Sequence, residues 1–263
     1  MGKNYPNYLY LAMLAQIAGS IIRDNFNLTM ACEWKGDNTP LTTTDTAIND
    51  MVVTKISQDF PHIAVAGEEG AGIIKGESEY LVVFDPVDGT MCFANGIPLC
   101  TFVIAVVKNG FPISGVIYDP FQKRMWHAKK GGGAWENDRP IRVSQHATIK
   151  QSYVYVAWRK QSIRSLATAD QKLKEQEAIC LNMPSVAFFG GLIAAGKVHA
   201  TIMPEQQIWE TPAMQIIIEE AGGRVTDING NLLRYEMGVP MNGHIASNGV
   251  LHDKLIQIVN GKN

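Results

Sequence analysis

Apolar positions along this chain recur in two rhythms, and the change of rhythm divides it. From Pro6 to Phe26, "PNYLYLAMLAQIAGSIIRDNF" spaces them three to four apart, which predicts a helix of about five turns. "TTTDTAINDMVVTKISQDF" predicts a second helix, entered near Asp45 and stopped before Pro61. "IAVAGEE" then gives a short strand running into a Gly-Glu-Glu loop, and "YLVVF" another strand ending at Phe84. From Thr101, "TFVIAVVKNGFPISGVIYDP" sets Asn109-Gly110 between two apolar runs, a hairpin signal. "KRMWHAKKGGGAWENDRPIRVS" continues as short strands with turns at Gly131 to Gly133 and Asn137-Asp138, so this half predicts an antiparallel sheet.

Beyond a polar stretch from Lys160 to Lys174, helical patterns return. "SVAFFGGLIAAGKV" is apolar on nearly every side and predicts a buried helix. "IWETPAMQIIIEEAGG" predicts a helix with Pro212 in its first turn and Gly222-Gly223 as its stop. "GRVTDINGNLL" predicts a further hairpin and "GVLHDKLIQIV" a closing helix. Helices followed by strands, twice over and without a linker, predict a layered α/β sandwich in one compact unit.

Composition acts mainly by exclusion. With 46% hydrophobic and 18% charged residues, the 263-residue chain suits a globular protein with a large core. A net charge of -2 supplies no general attraction for nucleic acid. Cys32, Cys92, Cys100 and Cys180 form no C-x-x-C pair, and a chain this long needs no disulfide staples. "MGKNYPNYLY" lacks the basic-then-apolar order of a secretory leader, and no apolar stretch is long enough to span a membrane. The expectation is a soluble, reducing, cytoplasmic setting with neither nucleic acid nor membrane as partner.

Chemistry enters at "YLVVFDPVDGT", where an apolar strand ends in two aspartates three apart. Asp85 and Asp88 repel each other, so they sit either in a solvated turn or against something cationic. Taken singly, Asp-Pro-x-Asp-Gly is a turn sequence, Glu68-Glu69 a solvated loop, and Glu210 a first-turn acid favoured by the helix dipole. Their combination and order carry the functional case. Hard divalent cations such as Mg2+ take carboxylate, carbonyl and water oxygens. Gly89 and Thr90 add backbone N–H groups suited to an anion such as phosphate. Metal and phosphate donors side by side imply phosphoryl chemistry.

In this order, "GEE", "DPVDGT" and, far downstream, "WETPAMQIIIEEAGG" resemble the inositol monophosphatase family of lithium-sensitive, magnesium-dependent phosphatases. "TTTDTAIND" looks like that family's T-x-x-D segment, "GVIYDPFQKRMWHAKKGGGAW" like its central hairpins and "HIASN" like its closing strand, so the likeness spans nearly the whole chain. The resemblance implies an α/β (α+β) fold: a layered αβαβα sandwich of the inositol monophosphatase / fructose-1,6-bisphosphatase type, usually a homodimer. It implies one phosphatase domain over residues 1–263, with a metal-binding α+β half to about 143 and an α/β half from 144 completing the substrate site. The implied reaction is hydrolysis of a small-molecule phosphate monoester by a metal-activated water, without a covalent intermediate.

The resemblance also implies roles. Glu68, Asp85 and the Val87 carbonyl would hold one Mg2+; Asp85, Asp88 and Glu210 a second, with Glu68 helping a third. Thr90, hydrogen-bonded to Asp45, would orient and deprotonate the attacking water with help from Glu68. Asp88, Gly89 and Thr90 would meet the substrate at its phosphate end, and Ser185 and Glu205 on the leaving-group side.

Three departures from the family pattern stand out. Trp209-Glu210 replaces the usual Trp-Asp, keeping the charge but adding a methylene. "PSVA" and "KVHA", with Ser185 and His199, replace the family's small-residue and Gly-x-x-Asp-Ala segments. Met203 stands where inositol-specific members carry an acid, and a thioether cannot grip a hydroxyl as a carboxylate does. These changes leave open, beside myo-inositol phosphate, histidinol phosphate, a sugar phosphate or 3'-phosphoadenosine 5'-phosphate as substrate, and, in another class, an inactive binding or regulatory homologue. The six histidines (His62, His127, His146, His199, His244 and His252) show no ligand spacing and suit surface or packing roles.

Overall fold

The computed structural model describes residues 5–27, 33–34, 40–69, 78–157, 164–239 and 241–261. Helix α1 (Tyr8–Asn25) starts after Asn7, whose side chain accepts the Tyr10 amide hydrogen, and buries Leu11, Leu14, Ala15, Ala18 and Ile22. A two-residue ribbon, β1 (Glu33–Trp34) and β2 (Pro40–Leu41), leads to α2 (Thr43–Asp59). The first sheet follows in chain order: β3 (Ala64–Gly67), β4 (Tyr80–Asp88), then short helix α3 (Thr90–Ala94), and β5 (Thr101–Lys108), β6 (Phe111–Asp119), β7 (Arg124–Lys129), β8 (Ala134–Glu136) and β9 (Arg139–Ile141). β3 runs parallel to β4, and every later pairing is antiparallel. Asn109 (φ 52°) and Gly110 (φ 83°) both adopt the left-handed backbone that a tight two-residue hairpin needs.

The second sheet uses β10 (Tyr153–Val156), α4 (Ala167–Glu175), β11 (Ile179–Leu181), α5 (Val186–Ala194), β12 (Ala200–Gln206), α6 (Pro212–Glu220), β13 (Arg224–Asp227), β14 (Met241–Ser247) and α7 (His252–Val259). Its strand order is β11-β10-β12-β14-β13. Strand alternation explains the layers. On β5, Phe102, Ile104 and Val106 join the core under α1 and α2, whereas Val103, Ala105 and Val107 join the core around α5 and α6. On β10, Tyr155 faces that same α5–α6 layer, while Val154 and Val156 pack with α4 and α7. The result is the expected five-layered αβαβα sandwich, and burial on both faces is why these strands are continuous apolar runs.

Two segments differ from expectation. The second arm of the hairpin expected in "GRVTDINGNLL" does not form. Asp227 Oδ1 instead accepts the Asn229 and Asn231 amide hydrogens, both at 2.8 Å, which coils the chain, and β13 pairs with β14. The stretch expected to be simply polar holds α4, which buries only Ala169 and Leu173; two apolar contacts leave little periodic signal. Among the described residues no helix is long and apolar enough to cross a membrane.

Candidate active site

The site grows from the end of β4. The ladder to β5 is regular to Asp85, then shifts before Asp88 pairs with Thr101. Asp85 Oδ1 accepts the Val87 amide hydrogen at 2.9 Å, a local turn that frees the strand end to curl. Gly89 follows at φ 99° and opens α3. Thr90 Oγ1 donates to the Val87 carbonyl at 2.8 Å and lies 3.4 Å from Asp45 Oδ1. A hydroxyl has one proton, and the shorter, better bond takes it.

Each acid is held by donors of its own. Asp45 is the third residue of α2, and its Oδ2 accepts the Thr42 amide hydrogen at 2.9 Å and the Thr42 hydroxyl. This capping box could be found from the Thr42-x-x-Asp45 spacing. Glu210 Oε2 accepts the Gln207 amide hydrogen at 2.6 Å, just before α6. Asp88 is the most heavily engaged. Its Oδ2 accepts from Ser185 Oγ (2.6 Å), Thr101 Oγ1 (3.0 Å) and the Ala187 amide (3.1 Å), and its Oδ1 from the Val186 amide (3.1 Å). Two of these donors are unpaired amides at the start of α5, where a carboxylate is favoured. No local pattern in the sequence marks Thr101 or these amides as partners of Asp88.

Electrostatics shows which acids share a region. Asp85 (4% exposed) has its carboxyl pushed well above the usual range by burial first, then by the charges of Glu68, Asp88, Asp45 and Glu210. Glu210 is pushed up to about 8, by loss of solvent first and also by Glu68, Asp88 and Glu205. Asp88 (7% exposed) rises to about 6 because burial outweighs its four donors. The charges of Asp45, Glu68, Asp88 and Glu210 thus reach Asp85, and that of Glu205 reaches Glu210, from separate segments of the chain.

Their chemistry fits a hard cation. The charges acting on Asp85 are all negative, so burial and repulsion favour a metal there. Among the described residues, however, no group of three or more such side chains already forms a metal-holding cluster. What the residues supply is charge and oxygen rather than a closed shell.

Gly89 meets two demands at once. Its φ is 99°, and a Cβ there would lie 2.8 Å from the Leu99 carbonyl oxygen and 3.1 Å from that of Pro184. Gly89→Ala is therefore expected to cost about 2–3 kcal/mol. Thermal unfolding should show a midpoint lower by several degrees; an unchanged midpoint would refute the close approach.

Ser185 is buried, with its hydroxyl committed to Asp88. Glu205 lies on β12, partly buried, near enough for its charge to act on Glu210. Met203, also on β12, sits opposite His244 of β14. Of the histidines, His244 and His252 are fully buried. Burial brings His244 down to about 3 and, as the leading cause, His252 to about 4, so both rings are neutral.

The family model described as "Inositol monophosphatase family" matches residues 7–263. A histidinol-phosphatase of Mycobacterium tuberculosis is 30% identical, with 96% of this chain and 97% of that one covered. A fructose-1,6-bisphosphatase/inositol-1-monophosphatase of Thermotoga maritima is also 30% identical, over 84% of this chain and 82% of that one. The solved IMPase of Thermotoga maritima superposes with a TM-score of 0.86 at 26% identity, covering 96% of both chains. Proteins of this kind generally use divalent metal ions. The chain belongs to the inositol monophosphatase family and is a phosphoric monoester hydrolase.

Proposed function

We propose that this protein hydrolyses a small-molecule phosphate monoester with Mg2+, two or three ions, as cofactor. The observation that carries the reading is the convergence of Glu68, Asp85, Asp88 and Glu210 beside Gly89 and Thr90, with acids crowding a buried aspartate. Glu68, Asp85, the Val87 carbonyl, Asp88 and Glu210 would hold the metal. A metal held there would supply charge to offset the phosphoryl oxygens and would make water acidic near neutral pH. The protein's own groups do the rest. Because the Thr90 proton goes to Val87, the Thr90 lone pairs are left to accept from the attacking water and orient it. Glu68 would take up that water's proton, and Asp45, with Oδ1 3.4 Å behind Thr90 Oγ1, adds the negative charge that favours its departure. Gly89 and Thr90 amides face the phosphate, and Asp88 meets the substrate.

Met203 offers no carboxylate for a sugar hydroxyl, which weakens the case for inositol phosphate, and Glu205, two residues on, is the nearest acid to replace it. Histidinol phosphate is favoured among the alternatives because a cationic leaving group suits the negative charge of Glu205, which lies outside the metal-holding set. Ser185 acts here through Asp88. The resemblance further supports a homodimer, and the absence of paired cysteines supports a reducing, cytoplasmic setting.

The test is phosphate release from histidinol, inositol, sugar and nucleotide monophosphates, with Mg2+ or with EDTA. Release should require the metal, be fastest with histidinol phosphate, and fall on addition of Li+. No release from any ester would favour a binding or regulatory homologue; release that persists in EDTA would remove the metal from the mechanism.

A further inference from the structure

Glu210 stands on a short loop between β12 and α6, and a side-chain bridge closes that loop. Thr211 Oγ1, fully buried, donates to Gln206 Oε1, joining the residue after Glu210 to the last residue of β12. Gln206 cannot swing away. Its Nε2 donates to the Asn242 carbonyl of β14 at 3.0 Å, and its Oε1 lies 2.9 Å from His244 Nδ1. An amide oxygen only accepts, so His244 carries its hydrogen on Nδ1, and Nε2, 3.2 Å from Thr201 Oγ1, accepts in turn. Gln206, Thr211, His244 and Thr201 are each at most 6% exposed, so no water replaces these bonds. Inside the closed loop, Glu210 is tied once more, through the Gln207 amide.

We propose that Gln206, Thr211 and His244 are positioning residues that fix the reach of Glu210 toward the metal. This rests on the reading of Glu210 as a metal ligand. The physical need is specific to this chain. A glutamate has one more torsion than the family's aspartate, so its carboxylate can sweep a wider arc unless the backbone beneath it is held. Ligand-supporting partners of this kind change metal affinity by about 10- to 100-fold when removed.

The experiment is a Mn2+ titration of the whole protein, followed by electron paramagnetic resonance, with thermal unfolding of the metal-free form alongside. Thr211→Val is nearly isosteric and removes only the hydroxyl; Gln206 Oε1 keeps His244 as donor, so the unfolding midpoint should change little. Mn2+ should bind about tenfold more weakly, and Thr211→Ser, which restores the hydroxyl, should recover parental affinity. Gln206→Met, close in length but without polar atoms, should weaken Mn2+ at least as much and serves if Thr211→Val does not fold. Glu210→Gln separates the two possible failures. If it weakens Mn2+ while Thr211→Val and Gln206→Met do not, the bridge has no positioning role. If Glu210→Gln itself binds Mn2+ like the parent, Glu210 is no ligand and the underlying reading fails with the proposal.

Discussion

Asp88→Asn is expected to lower Mg2+-dependent phosphate release by at least about 100-fold, because it removes a charged oxygen from the metal and substrate side. Its effect on stability is the more revealing measurement. Were Asp88 in the solvated turn that its Asp-Pro-x-Asp-Gly setting allows, the asparagine variant would fold like the parent. The structure corrects that: Asp88 is buried and accepts four hydrogen bonds, including two amides at the start of α5. Asparagine has one acceptor and a donating NH2, so a donor at the α5 terminus loses its partner, at about 1–3 kcal/mol. Against this, a carboxyl raised from 3.8 to about 6 is a poor anion where it stands, and neutralising it at pH 8 recovers on the order of 3 kcal/mol. The two terms nearly cancel. In metal-free protein the variant's unfolding midpoint should match the parent's at pH 8 and fall below it at pH 4, where the parent carboxyl is already protonated. A variant equally stable at both pH values, or as active as the parent, would overturn this account.

The metal-free protein should itself be more stable near pH 5 than near pH 9. Asp88 and Glu210 have folded values of about 6 and 8, above their ordinary 3.8 and 4.5, and Asp85 is shifted the same way. Between those limits the folded chain binds more protons than the unfolded one, so stability declines as pH rises. It is fully present below about pH 4 and lost through pH 6 to 8, on these three groups alone. Glu210 is partly exposed, so its share is discounted for solvent. Unfolding midpoints across pH in EDTA should fall by several degrees, and millimolar Mg2+ should remove most of the slope by replacing the protons. A flat profile without metal would show that these carboxyls do not share a crowded pocket.

The contrast between what could be read and what could not follows distance along the chain. Both long N-terminal helices, the Asn109-Gly110 hairpin and the apolar strands of the first sheet were legible because local period and turn chemistry decide them, whereas β10, β11 and β12 were not read. The acids were legible as a set through the order of their motifs. The hairpin after Asp227 was not, because one carboxylate accepting two nearby amides outweighs a weak alternation. Ser185 could be named from the sequence, but its bond to Asp88, 97 residues away, could not. His244 carried no signal at all, since nothing local links it to Gln206 or Thr211.

By itself, then, the amino-acid order determined the alternation that buries β4 and β5 on both faces, the left-handed glycine after Asp88, and the number and kind of acids available. Tertiary structure alone decided how those acids stand: which amides each one faces, how far burial lifts its proton affinity, and which side chains close the loop under Glu210. The reason is physical. Backbone preference and hydrophobic period act over a few residues, whereas desolvation and charge repulsion depend on every group packed nearby, whatever its place in the chain.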